Sequence, residues 1–240
     1  MKILKDEKNN LIWQCFSSDE DRTPEEETIF YDKIEELNSW DKYGNYGIER
    51  YIKGEETSLS FGDLLNAYLI FAREPRNLLV CHLPENPAQD GTCNNPQSQQ
   101  ILGVCLIQTK QTLSHKDYLK NYIKHCIESK KMSSTPKDIT VIDAIKALTN
   151  EDGSNNLSID IFAINPKFQH KGFGTMALKS IIENINEFSN EEKLNTITTS
   201  INNENTPSIK TFAQNGFKLF YDPTQCTCDY MLSEPLEPNA

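Results

Sequence analysis

A glycine loop that follows a β-branched segment carries the residue types with the clearest chemistry in this 240-residue chain. The segment Ile159–Ile164 ends at Asn165-Pro166, and the loop Gln169–Gly174 leads into residues with helical spacing. Gly172 and Gly174 let a ligand approach the main chain, because glycine has no Cβ atom. A helix N-terminus fed by a strand offers N–H groups to phosphate oxygens, and the helix dipole favours an anion. The pattern predicts a pyrophosphate site.

The elements around this loop can be predicted from side-chain type and spacing. Residues from about 157 to 164 are β-branched and aromatic, which is typical of a strand, and Pro166 removes the next ladder donor. Thr175 places a hydroxyl near the first turn of the following helix. Apolar side chains then recur at intervals of three and four residues and predict one apolar helix face: Met176, Leu178, Ile181, Ile182 and Ile185.

A second ordered segment lies downstream. It holds a strand-like run followed by polar, aromatic and glycine positions: Leu194–Ile201, Asn205, Ser208, Phe212 and Gly216-Phe217. Together with Gln169-x-x-Gly172-x-Gly174, this order resembles the GNAT superfamily of acyl-CoA-dependent N-acyltransferases. The family's loop motif is Arg/Gln-x-x-Gly-x-Gly/Ala, and its later motif is Asn-x-x-Ala/Ser-x-x-x-Tyr-x-x-x-Gly-Phe. The resemblance covers about residues 100–232 and is specific over 157–221.

The resemblance implies an α/β (α+β) fold of the GNAT type. A mixed central sheet of about seven strands would be flanked by helices and splayed between strands four and five. Residues 1–240 would form a single GNAT-like domain, with a flexible loop at 84–99 and a helical insertion at 114–150 between strands three and four. Long insertions usually cover a surface. The alternative is that the insertion forms a lid or a dimer arm beside the acceptor cleft. A homodimer is therefore one of the expected oligomeric states.

The resemblance also implies acetyl-CoA as cosubstrate and assigns residues to it. Main-chain groups of Phe162 and Ile164 would hold the thioester, and the loop amides would bind the pyrophosphate. Asn205 and Ser208 match positions that contact the cofactor arm in the family. The expected cofactor-binding residues, with no metal among the ligands, are Phe162, Ile164, Gln169, His170, Lys171, Gly172, Phe173, Gly174, Thr175, Asn205 and Ser208.

The implied reaction is direct attack of a primary amine on the thioester through a tetrahedral intermediate. The acceptor is an amine of a small molecule or of a protein. Asp160 shares a strand face with Phe162 and Ile164, and we expect it to accept the proton directly or through water. In some relatives a glutamate takes this role, but the aligned position here is Ser158.

The proton donor departs from the family pattern. Phe212 occupies the position where the family commonly carries a tyrosine, and phenylalanine has no proton to give. A thiol has a pKa of about 8.5, so its anion leaves with modest help. Tyr221 and Tyr230 are the candidate substitute donors, and Tyr221 is the one that we assign. This departure supports a second hypothesis. The chain would then be a catalytically weak or inactive module that binds acyl-CoA and has a regulatory role instead of catalysing acetyl transfer.

The glycine loop has two other interpretations. Gly172-x-Gly174-x-x-Ala177 also fits a dinucleotide-binding fingerprint, but that fold places the first glycine at the end of a strand. Here seven residues separate Ile164 from Gly172. A plain turn shaped by glycine is the third interpretation.

The N-terminal part predicts the elements that would support this site. Residues 1–16 alternate around Asn9-Asn10 and indicate a hairpin or two short strands. Thr23-Pro24 predicts the start of a helix that continues to about Trp40. A second helix is expected from about Ser60 to Arg73, and paired strands at 77–83 and 100–108.

Composition excludes some classes of function. The net charge of −11 argues against a nucleic-acid partner, because such binding needs a basic surface. No apolar run approaches membrane-spanning length, so no membrane partner is expected, and the charged N-terminus is unlike a secretory signal. Seven cysteines without a Cys-x-x-Cys pair indicate reduced thiols. These features predict a cytoplasmic protein.

Overall fold

The described part of the chain alternates strands and helices. The computed structural model describes residues 1–17, 22–40, 60–70, 76–84, 100–110, 155–189, 194–221 and 227–232. The elements in these ranges are β1 Lys2–Asp6, β2 Leu11–Ser17, α1 Pro24–Asn38, α2 Phe61–Ile70, β3 Arg76–His82, β4 Ile101–Lys110, β5 Asn155–Ile164, α3 Phe173–Glu183, α4 Ile185–Ser189, β6 Leu194–Asn202, α5 Thr206–Gln214, β7 Lys218–Tyr221 and β8 Thr227–Leu232. A 3-10 turn, Pro166–Phe168, lies between β5 and α3.

Two compact units share strand β5. The first unit comprises residues 1–107 and 161–181, and the second comprises 108–160 and 182–240. The strand order is β1-β2-β3-β4-β5 in the first and β5-β6-β8-β7 in the second. The predicted mixed α/β fold is confirmed, and the described residues form eight strands where about seven were expected. The N-terminal segment contributes two of them, because it folds as the antiparallel hairpin that its alternation predicts.

Strands β5 and β6 form the parallel pair that the resemblance places at the splay. Their ladder joins Asn155–Ile159 to Leu194–Thr199 and ends there, whereas β5 itself continues to Ile164. The Thr199 hydroxyl reinforces the last step, since its Oγ1 donates to the Ile159 carbonyl at 3.0 Å. The remaining strands of the second unit, β6, β8 and β7, pair in antiparallel fashion.

Helices α1 and α2 cover one face of the first unit. Thr23 caps α1 in a capping box, in which its Oγ1 accepts the Glu26 amide and the Glu26 carboxylate accepts the Thr23 amide. The helix begins at Pro24, as predicted, and ends at Asn38. The helices and strands bury a shared apolar cluster that includes Phe16, Phe30, Leu37, Leu65, Leu78 and Val104.

Helix α3 lies against the N-terminal hairpin. Trp13 donates from Nε1 to the Ser180 Oγ at 2.9 Å, and Ser180 donates in turn to the Asp6 carboxylate. Ala177, Leu178 and Ile181 are fully buried, whereas Met176 and Ile182 are only half-buried. The predicted apolar face is therefore rotated toward Ala177. The helix also stops at Glu183, before the predicted Ile185.

Several predictions fall on residues that the structure does not describe. The helical insertion at 114–150 lies outside the described residues, as does the predicted loop at 84–99 apart from Pro84. Both stay predictions, as does the single domain. None of the described helices is long and apolar enough to span a membrane. Within the described ranges, no group of three or more His, Cys, Asp or Glu side chains is arranged to hold a metal.

Candidate functional site

The glycine loop starts from a buried asparagine at the end of β5. Asn165 is 3% exposed, and its amide donates to the Leu102 carbonyl at 2.9 Å. Its Nδ2 donates to the Ile101 carbonyl at 2.8 Å, and its Oδ1 accepts the Lys167 amide at 3.1 Å. The residue before a proline is restricted to extended conformations, and Asn165 has φ −49° and ψ 127°. Asn165 thus ends the strand and starts the 3-10 turn.

The loop is tied back to β5 by a second side chain. Gln169 donates from Nε2 to the Ile164 carbonyl at 2.9 Å. This bond occupies a main-chain group that the sequence assigned to the ligand. The Ile164 N–H is therefore the main-chain group of this residue that we consider as a hydrogen-bond donor to the ligand.

Two residues of the loop adopt left-handed backbone conformations. His170 has φ +61° and Gly172 has φ +82°. Such angles are uncommon for a residue with a side chain, so His170 carries backbone strain, whereas glycine adopts them at little cost. The His170 side chain is exposed. Strain of this kind often marks ligand-binding segments.

Open space lies in front of Gly172. A Cβ atom built on this residue would meet nothing within 4 Å. The Gly172 carbonyl accepts the Met176 amide at 3.2 Å, which makes Gly172 the residue at the start of α3. The first N–H groups of a helix have no acceptor within it, and those of Phe173 and Gly174 belong to this set. An anion has room to reach them.

Cations and aromatic rings stabilise the outside of the loop. Lys171 donates from Nζ to the Lys167 carbonyl at 3.0 Å and lies 5.9 Å from the centroid of the Phe168 ring. Phe168 packs edge-on against Phe173, with the ring centroids 5.7 Å apart. Both lysines are exposed, so their positive charge is available to an anion in solution.

The predicted base lies in the second unit beside a serine. Asp160 is half-buried, and its Oδ1 accepts a hydrogen bond from the Ser158 hydroxyl at 2.8 Å. Ser158 is 7% exposed. The two residues alternate along β5 and so share a face, on which the hydroxyl orients the carboxylate. Phe162 and Ile164, in the first unit, are half-buried.

The predicted contacts to the cofactor arm belong to the start of α5. Asn205 is the N-cap of this helix, and its Oδ1 accepts the Ser208 amide at 3.2 Å. Its carbonyl accepts the Ile209 amide at 3.0 Å. Capping alone accounts for an asparagine here. Contact of Asn205 or Ser208 with a cofactor stays a prediction.

Phe212 belongs to the core of the second unit. It is 2% exposed, and its ring lies edge-on to Phe217, with centroids 4.9 Å apart. Tyr221, the predicted proton donor, is the last residue of β7 and pairs with Asp229 in β8. Its side chain lies outside the described structure, so its role also stays a prediction.

Two residues near the loop were not singled out from the sequence. One is Asn165, which was interpreted only as part of a strand stop. The other is Gly103, where an added Cβ would lie 2.8 Å from the Ile164 Cδ1 and 3.0 Å from the Ala163 carbonyl oxygen. A glycine inside a strand is a known signal of close backbone approach, and it was the clue available here.

Comparison with known proteins adds a family-model match over part of the chain and a similarity of fold. Residues 115–218 match the family model described as an acetyltransferase (GNAT) domain. No curated protein matches the chain. An uncharacterized protein from Bacillus halodurans, 13% identical, has a TM-score of 0.51 and covers 97% of this chain and 89% of its own. It shares the fold.

Two further solved structures are similar at lower scores. A GNAT-family acetyltransferase from Bacillus anthracis is 14% identical, with a TM-score of 0.46 and coverage of 99% of both chains. Arabidopsis thaliana NAA60, solved in complex with acetyl-CoA, is 9% identical, with a TM-score of 0.46 and coverage of 94% of this chain and 98% of its own.

Proposed function

We propose that this chain, whose residues 115–218 match the family model of an acetyltransferase (GNAT) domain, transfers an acetyl group from acetyl-CoA to a primary amine. The observation that carries the proposal is the loop before α3, with its left-handed Gly172 facing open space. The loop offers main-chain donors at a helix N-terminus, which is the chemistry that binds a diphosphate. Exposed Lys167 and Lys171 add positive charge beside them.

The residues present fit coenzyme A in this position. In the proposal, the amides from His170 to Thr175 hold the diphosphate, and Gln169 keeps the loop against β5 through its bond to Ile164. Main-chain groups of Phe162 and Ile164, beyond the end of the β5–β6 ladder, hold the thioester arm. The N-terminus of α5, with Asn205 and Ser208, supplies further polar contacts.

The acceptor amine attacks the thioester directly and must first lose a proton. Asp160, whose carboxylate is oriented by Ser158, is the proposed acceptor of this proton. The Ile164 N–H is the proposed donor to the developing oxyanion, an effect worth about 3–4 kcal/mol in other enzymes. Tyr221 is the proposed donor to the leaving thiolate, because Phe212 has no proton to give.

The described cysteines support direct transfer over a covalent enzyme thioester. Cys15, Cys81 and Cys105 are free and buried. Burial raises the pKa of the Cys15 thiol to about 11, and that of Cys81 well above its ordinary value. A protonated thiol is a poor nucleophile. Neither Cys15 nor Cys81 is therefore suited to accept the acetyl group.

The surface charge suits a cationic acceptor. A net charge of −11 attracts an ammonium group over long range, whether it belongs to a small molecule or to a protein. We also propose that the reaction takes place in the cytoplasm, where buried free thiols stay reduced.

A second candidate is a GNAT-fold module that binds acyl-CoA without turnover. The observation that favours it is Phe212, which is buried against Phe217 and so fills the family's tyrosine position with a packing residue. Incubation with acetyl-CoA and a panel of amines, with free thiol as the readout, separates the two. Thiol release that depends on an amine supports the enzyme. Tight CoA binding without release across the panel supports the module.

A further inference from the structure

The geometry assigns a positioning role to Asn165, which fixes the start of the glycine loop to strand β4. All four hydrogen-bonding groups of this residue are used. Its N–H and Nδ2 donate to the carbonyls of Leu102 and Ile101, while its Oδ1 and carbonyl accept the amides of Lys167 and Phe168. At 3% exposure, water cannot replace any of these partners easily.

The donors and the acceptors of Asn165 bond to different segments of the chain. The donors hold β4, and the acceptors close the 3-10 turn that begins the loop, with Phe168 at 2.8 Å from the Asn165 carbonyl oxygen. No other side chain of this size offers both an amide donor and a carbonyl acceptor. Asp would keep the acceptor, but it would place an oxygen against the Ile101 carbonyl.

The strand that receives Asn165 is itself held in place. The Ile101 N–H donates to the Glu36 Oε1 at 3.0 Å, so α1 fixes the same residue whose carbonyl accepts Asn165. Ile101 is fully buried. Gly103 lets β4 approach Ala163 and Ile164 more closely than any residue with a Cβ would allow. Asn165 is therefore anchored to a rigid partner.

This inference rests on the proposed function, because its consequence is an effect on coenzyme A. Donors held in place before binding lose less conformational freedom when the ligand arrives. Without the Asn165 side chain, the loop from Pro166 to Gly172 is held to the strands mainly by Gln169 and by the Asn165 main chain. The diphosphate donors then sample other arrangements, and affinity falls.

The test measures CoA affinity by isothermal titration calorimetry at a temperature where all variants are folded. Asn165→Ala removes two side-chain hydrogen bonds that hold the loop and is expected to weaken CoA binding about tenfold. Asn165→Ser, which keeps an oxygen near the Lys167 amide but cannot reach Ile101, is the second variant if the alanine variant does not fold. If an acceptor is known, KM for acetyl-CoA rises while kcat changes little.

Trp13→Phe is the matched control. It removes one buried side-chain hydrogen bond in the first unit, from Nε1 to the Ser180 Oγ at 2.9 Å, whereas Asn165→Ala removes two. We expect its stability to fall and its CoA affinity to stay within about twofold of wild type. Wild-type affinity in the folded Asn165 variants, or equal loss in Trp13→Phe, overturns the positioning role. If the wild-type protein binds no CoA, the proposed function itself fails.

Discussion

The loop depends most on one backbone conformation, that of Gly172. At φ +82°, any L-residue is strained, typically by about 1–3 kcal/mol, and a side chain there enters the open space in front of α3. We expect Gly172→Ala to weaken CoA binding at least tenfold, because it combines this strain with loss of ligand space. Calorimetric titration with CoA measures the change.

Gly216 provides a control with the same backbone angle. It has φ +86° at the end of α5, where an added Cβ would lie 3.2 Å from the Leu232 Cδ1. Gly216→Ala should lower the thermal midpoint at least as much as Gly172→Ala, because it adds the Leu232 contact to the same strain, and it should leave CoA affinity close to wild type. The assignment of the loop is contradicted if the Gly172 variant binds CoA normally, or if both variants lose affinity alike.

The Asp160 carboxylate is expected to matter for turnover and not for cofactor affinity. Asp160→Asn keeps the shape of the side chain but cannot accept the amine proton. We expect kcat to fall by about 10²–10⁴-fold, the usual contribution of a general base, with CoA affinity unchanged. Ser158→Ala, which removes only the 2.8 Å bond to Asp160, should reduce kcat much less. Full thiol release by Asp160→Asn would assign the base elsewhere.

Individual positions were predictable where local spacing determines them. Gly172 follows from the motif, and its left-handed angle explains why a glycine stands there. Asn165 was missed because its partner Ile101 is 64 residues away in the chain, and no local pattern announces that contact. The role of Phe212 could be predicted only in part. Its lack of a proton is in the sequence, but its burial against Phe217 required the fold.

The N-terminal hairpin and α3 are joined through a buried carboxylate. Burial by itself raises the pKa of Asp6, but hydrogen bonds from Ser180 and Asn9 outweigh it, so the pKa lies below its ordinary value of 3.8. A carboxyl whose pKa is lowered by folding stabilises the folded state above its unfolded pKa, about 4, and this stabilisation is lost as pH falls further. The contact should therefore weaken in acid.

Replacing Asp6 by Asn tests this pH dependence. The variant keeps the shape of the side chain but replaces the carboxylate that accepts hydrogen bonds from Ser180 and Asn9 by a neutral amide. We expect its unfolding free energy at pH 7 to be about 1–3 kcal/mol lower than that of the wild type. Urea denaturation of both proteins between about pH 7 and pH 3 gives the difference at each pH. The difference should shrink below about pH 4. A constant or growing difference would show that the Asp6 charge is not the cause.

Helix α1 owes part of its stability to the box at its N-terminus. Thr23→Ala removes the side chain that accepts the Glu26 amide and should cost about 1 kcal/mol of unfolding free energy. Thr28→Ala is the control on the same helix, since the Thr28 hydroxyl only donates back to the Pro24 carbonyl at 2.9 Å. It should change stability by less than about 0.5 kcal/mol. Equal effects in urea denaturation would refute the role of the cap.

Elements were predicted best where type and boundary depend on neighbouring residues. The Thr23-Pro24 start of α1, the hairpin and the strand before the loop all follow from local chemistry. The buried side of α3 did not, because Ser180 faces the hairpin to bond Asp6 and Trp13, which turns Ala177 inward in place of Met176. Periodicity gives the width of an apolar face, and long-range partners fix its direction.

The order of the strands could be expected only through the family resemblance. Neighbours such as β6 and β8 have β7 between them in the chain, and no local pattern specifies that arrangement. The division into two units that share β5 likewise reflects contacts between distant segments.

Ligand binding should stabilise the folded protein as a whole. A ligand present at 100 times its Kd adds about 2.7 kcal/mol to the unfolding free energy, and 1 kcal/mol shifts the midpoint of a chain this size by about 2–4 °C. We therefore expect CoA at this excess to raise the thermal midpoint by roughly 5–10 °C. Differential scanning fluorimetry with CoA measures it without knowledge of the acceptor.

Pantetheine is the matched ligand for this experiment, because it keeps the thiol arm and lacks the diphosphate and nucleotide. If the amides from His170 to Thr175 supply most of the binding free energy, the Kd of pantetheine should be far higher than that of CoA. Pantetheine at the same concentration should then shift the thermal midpoint by less than about 1 °C. The protein carries a net charge of −11, so general attraction for the anionic CoA cannot account for a selective shift. Equal shifts with both ligands would place the binding energy in the thiol arm, and the diphosphate site at α3 would be wrong.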